Sequence, residues 1–180
     1  MTYHLMIDLE TMGNGPMAPI VSIGAAFVNL SADKANCCPV RYYDVVTLES
    51  ELASGAVVDA STVIWWLTQS DAARSGITQG ARPNTAVLSE FADWIKAGPD
   101  FEGVWGNGAT FDNVITRQAF KRVGIECPWP FWADRCYRTM KAAIDVGPVE
   151  RQGTHHNALD DAVTQGVHLW KIFNFLGGAK

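Results

Sequence analysis

His4-Leu5-Met6-Ile7-Asp8-Leu9-Glu10-Thr11 is the stretch on which the fold turns. It alternates as a half-buried strand does, so Leu5, Ile7 and Leu9 share one face while Asp8 and Glu10 share the other. Two carboxylates at the end of an apolar strand, followed by Thr11 and a glycine-containing loop, can aim at one point. A solvent-facing edge strand accounts for the same pair, so the pair needs partners from elsewhere.

Outward from this strand, Ile20 to Leu30 reads as a second strand and Tyr42 to Leu48 as a third, with turn-formers between Ser31 and Asn36 making an antiparallel hairpin. Helical spacing follows: a short segment capped at Asp59 with Val63, Ile64, Trp66 and Leu67, then Thr85 to Ala97 stopped by Gly98-Pro99. Phe101 to Trp105 returns to the sheet. Gly106-Asn107-Gly108 turns into a helix over Thr110 to Val123, with Asp112 in its first turn. A short strand at Phe131 to Ala133, a helix over Tyr137 to Asp145, a mobile loop over Gly147 to Gly153 and a last helix over Ala158 to Phe175 complete the order. On that helix Leu159, Ala162, Val163, Gly166, Val167, Trp170 and Phe173 form one stripe, which leaves Asp161, Gln165 and His168 off it. The class is α/β, a mixed sheet of three antiparallel strands and then parallel ones, flanked by helices. With no internal repeat or linker composition, residues 1–180 read as one domain.

The chain has 48% hydrophobic residues, seven Trp and eight Phe, enough for a core and a surplus for stacking. Its net charge of −5 argues against tight sequence-nonspecific duplex binding, which needs clustered cations, but bound divalent ions would offset an acidic site locally. Cys37, Cys38, Cys127 and Cys136 show no zinc-ligand spacing and read as free thiols. The start at Met1 lacks a signal-like run and no 18-residue apolar stretch occurs, so a soluble, cytoplasmic protein with no membrane partner is expected.

Asp8 and Glu10, then Asp112, then His156 followed by Asp161 supply four acids and one base in order along the chain. Each has a plain structural alternative: Asp112 suits any helix start, Asn157 and Asp160 suit a cap, and His155 or His156 suits a loop. As a set they are what two-metal phosphodiester cleavage needs, because carboxylates holding two cations stabilise the attacking and leaving oxygens together.

On these residues the chain resembles the DEDDh 3′-to-5′ exonucleases of the ribonuclease-H-like superfamily, the DnaQ-like group. Asp8-Leu9-Glu10-Thr11 matches the first motif, Asp112 within Asn107-Gly108-Ala109-Thr110-Phe111-Asp112-Asn113 the second, and His156-Asn157-Ala158-Leu159-Asp160-Asp161-Ala162 the third. Val63-Ile64-Trp65-Trp66-Leu67 and Trp105-Gly106-Asn107-Gly108 look most like compact single-domain phage and actinobacterial exonucleases and exoribonucleases. The resemblance implies Mg²⁺ or Mn²⁺ on Asp8, Glu10, Asp112 and Asp161, and His156 rather than His155 as base, since it stands five residues before Asp161. It also implies nucleoside 5′-monophosphates released from DNA or RNA 3′ ends, single-stranded or as 3′ overhangs.

Thr11, Met12, Phe111, Asn107 and Trp66 are the expected substrate contacts, and either Trp65 or Trp66 is placed to cover the terminal base. Arg135, Arg138 and Lys141 either track the backbone or form a solvated helix face. No polymerase-binding extension is read beyond Gly178, and the aromatic content is compatible with a homodimer. The rivals are a catalytically silent nucleic-acid-binding module of the same fold, which usually lacks an acid, and an endonuclease of the superfamily.

Overall fold

The computed structural model describes residues 2–178, and any extension beyond Gly178 lies outside the described residues. Strands β1 (Tyr3–Thr11), β2 (Ile20–Asn29), β3 (Val40–Val45), β4 (Phe101–Gly106) and β5 (Asp134–Cys136) form one sheet in the order β3-β2-β1-β4-β5. β1 pairs antiparallel with β2, and β2 with β3, whereas β4 runs parallel to both β1 and β5. This is the expected mixed sheet. Its parallel members require crossovers: helices α1 (Leu48–Ala53), α2 (Ala60–Leu67), α3 (Asp71–Gly76) and α4 (Asn84–Ala97) join β3 to β4, and α5 (Asp112–Arg122) joins β4 to β5. Helices α6 (Tyr137–Ala143) and α7 (Ala158–Gly178) close the chain, and none of the described helices is long and apolar enough to cross a membrane.

The alternation in β1 divides the core. Leu5, Ile7 and Leu9, with Ile23, Ala25 and Phe27 of β2, pack under Val87, Leu88, Phe91 and Ile95 of α4 and Ile115, Ala119 and Phe120 of α5. On the other face Met6, Ala26, Val28 and Trp105 meet Tyr137 of α6 and Ala162, Val163, Leu169 and Ile172 of α7. Asp8 and Glu10 belong to this second face, beyond Met6. A one-residue slip of β1 would drive both acids into the α4–α5 core, so burial of the first face holds the register.

α7 reaches the acids because β2 has a glycine opposite Asp8. Gly24 pairs with Asp8 in the ladder, and a Cβ placed on it would stand 2.0 Å from the backbone carbon of Ala158. The first turn of α7 therefore lies directly on the sheet beside β1. Gly106 plays the same part for α5, since a Cβ there would fall 2.7 Å from Cβ of Asp112 and 2.8 Å from its Oδ2.

Three expectations are corrected. The third strand starts at Val40 and ends at Val45 rather than Leu48; Val46 instead bridges to Arg82, and Leu48 begins α1. Phe131–Ala133 is a 3₁₀ turn after Pro130, and the last strand is Asp134–Cys136, placed by its pairing with Val104–Gly106. The six-residue helices α1 and α3 had no counterpart in the sequence reading, and α7 runs on to Gly178.

Candidate active site

Three distant segments meet at the carboxyl end of β1. Asp8 and Glu10 come from the strand, Asp112 from the first turn of α5, and His156 and Asp161 from the entry to α7. Together with Leu9, Asn107, Phe111, Arg138, His155 and Gln165 they line a cleft of about 210 Å³. Glu10, His156 and Asp161 each offer a ligand atom, and these atoms lie within 4.8 Å of one another. His156 sits at φ 61°, a left-handed conformation a histidine adopts only where its surroundings hold it. Its amide donates to Asp161 Oδ2 at 3.0 Å, and Asn157 Oδ1 caps α7 by accepting from the Leu159 and Asp160 amides, both at 3.1 Å.

Burial makes Asp8, Glu10 and Asp112 proton-avid, and repulsion between neighbouring carboxylates adds to it at Asp8 and Glu10. Burial foremost, then the charges of Asp112, Glu10 and Asp161, hold Asp8 well above the usual carboxylate range. Burial followed by Asp161 and Asp112 pushes Glu10 up to about 8, and burial pushes Asp112 up to about 7. Asp8 Oδ1 accepts a 2.6 Å bond from the Gln165 amide, while Asp112 Oδ2 is buried with no hydrogen-bond partner. Clustered carboxylate oxygens, one of them unpartnered, suit a hard divalent cation such as Mg²⁺ or Mn²⁺. His156 moves the other way: burial and the adjacent His155 lower its pKa against the pull of Asp161, which favours neutral imidazole.

Between the ordinary carboxylate value of 4.5 and about 8, native Glu10 carries a proton that the unfolded chain has released. Raising the pH through this window therefore favours unfolding. In EDTA the melting temperature is expected to fall towards pH 8, above pH 6.5 where the lowered histidines no longer act in the opposite sense, and Mg²⁺ to reverse the fall by binding the native state. Thermal melts across that range, with Glu10→Gln flattening the slope, check it; a melting temperature that rises over the same range sinks it.

A second cleft of about 450 Å³ adjoins the first, lined by Leu9, Glu10, Thr11, Asn14, Ser61, Thr62, Trp65 and Phe111. Of the expected substrate contacts, Thr11 and Phe111 are here and Asn107 is in the acidic cleft. Trp66 is not available: it is 3% exposed, its indole N–H donates to the Thr11 carbonyl at 2.9 Å, and its ring packs with Val21, Ala73 and Ile77. Met12 packs against that same cluster and lines neither cleft. Trp65 faces the clefts instead, its ring centroid 4.8 Å from that of His156. Adjacent helical residues diverge by about 100°, so only one of the two rings points outward. Of the three cations, Arg138 alone lines the acidic cleft; Arg135 donates to the Trp132 and Asp134 carbonyls and Lys141 lies over the Tyr137 ring.

Residues 3–173 match the family profile of the 3′-5′ exoribonuclease Rv2179c-like domain. The chain belongs to this family. The family is one of 3′-5′ exonucleases, and the fold of this chain is that of the DEDDh, ribonuclease-H-like exonucleases. The zinc-bound E. coli ExoI–ssDNA complex superposes with a TM-score of 0.63 at 14% identity, covering 99% of this chain and 43% of that one. The nuclease domain of 3′hExo, a DEDDh family member bound to rAMP, gives 0.62 at 14% identity, covering 96% of this chain and 92% of that one. E. coli Exonuclease I with a 5cy-dA13 oligonucleotide gives 0.64 at 13% identity, covering 97% of this chain and 41% of that one. This exonuclease domain thus spans less than half the length of the E. coli enzyme it matches. No curated protein matches the sequence.

Gln165, and Arg151, whose guanidinium donates to Asp161 Oδ1, are the residues at the site that sequence reasoning missed. Gln165 lies off the apolar stripe of α7, yet it is buried because it turns towards Asp8. Its position four residues after Asp161, one helical turn along the same face, was the available signal.

Proposed function

We propose that this domain hydrolyses the terminal phosphodiester of a single-stranded or overhanging 3′ end and releases nucleoside 5′-monophosphates. The observation that carries the proposal is the convergence of four carboxylates and one histidine, from three segments, on one cleft. Asp8, Glu10, Asp112 and Asp161 would hold two divalent cations, Mg²⁺ or Mn²⁺. When bound, these supply charge stabilisation for the attacking and leaving oxygens.

The remaining work falls to the chain. His156, neutral near pH 7 by virtue of its lowered pKa, takes a proton from the water that attacks the terminal phosphorus. Gln165 fixes the orientation of Asp8 through Oδ1. Thr11, Trp65 and Phe111 border a cleft with room for the terminal nucleoside, and Trp65 offers a ring for stacking on its base. A filled set of acids counts against a silent binding module.

The family's description as an exoribonuclease supports RNA as the preferred strand, whereas the E. coli complexes contain ssDNA or a dA13 oligonucleotide. Matched 5′-labelled RNA and DNA oligonucleotides, incubated with Mg²⁺, Mn²⁺ or EDTA beside an Asp112→Ala control, decide between them. A ladder shortening from the 3′ end is expected only with metal and intact Asp112. Cutting of circular substrate would indicate an endonuclease. A folded, metal-supplied protein that shortens nothing would be a binding module.

A further inference from the structure

Both oxygens of Asp161 are engaged by the segment that precedes α7. Oδ2 accepts the His156 amide at 3.0 Å, a fixed backbone contact. Oδ1 accepts from Arg151, whose other terminal nitrogen donates to the Thr154 carbonyl. This second contact is of a different kind, since it comes from a long side chain that is 34% exposed while Asp161 is 14% exposed.

The positive charge of Arg151 also reaches Glu10 and His156, where it favours the ionised carboxylate and the neutral ring. Those residues and Asp161 are the three whose ligand atoms cluster within 4.8 Å. The guanidinium therefore stands at the cation-binding edge of the cleft and uses an oxygen that a cation would use. The backbone on either side is tied down independently. Glu150 pairs with Lys34 and Lys171, and the Gln152 amide donates to Thr164 Oγ1 at 2.9 Å. The side chain can let go of Asp161 without carrying its loop away.

We propose that Arg151 is an exchangeable counter-cation: a divalent ion at Asp161 displaces its guanidinium, which then takes a non-bridging oxygen of the substrate phosphate. The inference rests on the function proposed above. Two cations sharing one carboxylate oxygen repel each other, and the more exposed and more flexible one is the guanidinium. A phosphate entering the cleft offers it a charged oxygen in place of Asp161 Oδ1, with a second non-bridging oxygen for the other arm of the guanidinium fork. Arg151 would thus couple substrate affinity to metal occupancy, since only the displaced side chain is free to bind phosphate.

The test is Mn²⁺ titration calorimetry on the wild type, Arg151→Gln, Arg151→Lys and Asp161→Asn, each checked for native circular dichroism. Binding of a single-stranded oligonucleotide with a cleavage-resistant 3′-terminal phosphorothioate linkage is then measured at saturating Mn²⁺. Arg151→Gln is expected to bind Mn²⁺ roughly tenfold more tightly and the oligonucleotide roughly tenfold more weakly, the scale of one charged hydrogen bond. Arg151→Lys, which keeps the charge without the fork, is expected to fall between. Mn²⁺ affinity that is unchanged or weaker in Arg151→Gln overturns the exchange, as does unchanged oligonucleotide affinity. Wild type and Asp161→Asn binding Mn²⁺ alike would overturn the metal site itself, an outcome distinct from failure of Arg151 alone.

Discussion

Replacing His156 by alanine is expected to slow single-turnover cleavage by about 10²–10⁴-fold, the usual contribution of a positioned general base. The acid limb of the pH profile is expected to disappear with it. In the wild type that limb is expected to reflect loss of neutral imidazole and, because burial and His155 hold the pKa below the ordinary 6.5, to be centred below that pH. Single-turnover rates at saturating Mn²⁺ from pH 5.5 to 9 make the comparison. A variant that keeps both the rate and the acid limb would remove His156 from the chemistry. His155, exposed beside it with ring centroids 3.9 Å apart, is the control: its alanine variant is expected to keep the acid limb.

The largest stability effect is expected at a pair that lines neither cleft. Glu51 on α1 and Arg122 at the end of α5 form an ion pair whose side chains are 1% and 5% exposed. Glu51 Oε2 also accepts the Ile20 amide at 2.9 Å, and Oε1 accepts the Asn84 amide nitrogen at 3.0 Å. The carboxylate therefore joins the start of β2, α1, α4 and α5. Arg122→Ala leaves it buried without its counter-charge, at a cost of about 3–5 kcal/mol. For a domain of this size that lowers the melting temperature by about 6–20 °C. Exonuclease activity per folded molecule is expected to stay near wild type, since neither residue lines the clefts. Replacing both partners by methionine is expected to recover only part of the loss: no unpaired charge remains, but the Ile20 amide loses its acceptor. A melting temperature unchanged in Arg122→Ala would show that the pair contributes nothing.

The two predictions differ in how far they were legible beforehand. His156 was readable from its spacing to Asp161 once the family pattern was recognised, because that spacing is local to one helix entry. Nothing near Glu51 or Arg122 in the chain announces a pair, and they are 71 residues apart. The same division runs through the fold. β1, α4 and α7 were readable because each is long and carries its periodicity within itself. β3 and β5 were misplaced because their bounds are set by strands they pair with, not by their own residues.

Within the site, local pattern determined which residue types are present: two acids on one strand face, an acid at a helix start, and a histidine and an acid at another. It also determined the α/β class, through the alternation of period-two and helical segments. Tertiary structure alone decided what those residues meet. It buried Trp66 and turned Trp65 outward, sent Met12 into a small core, brought Gln165 onto Asp8 and laid Arg151 against Asp161. The reason is physical. Periodicity states which face of an element is apolar, but which partner covers that face depends on chain closure over long sequence separations and on close approaches such as those at Gly24 and Gly106.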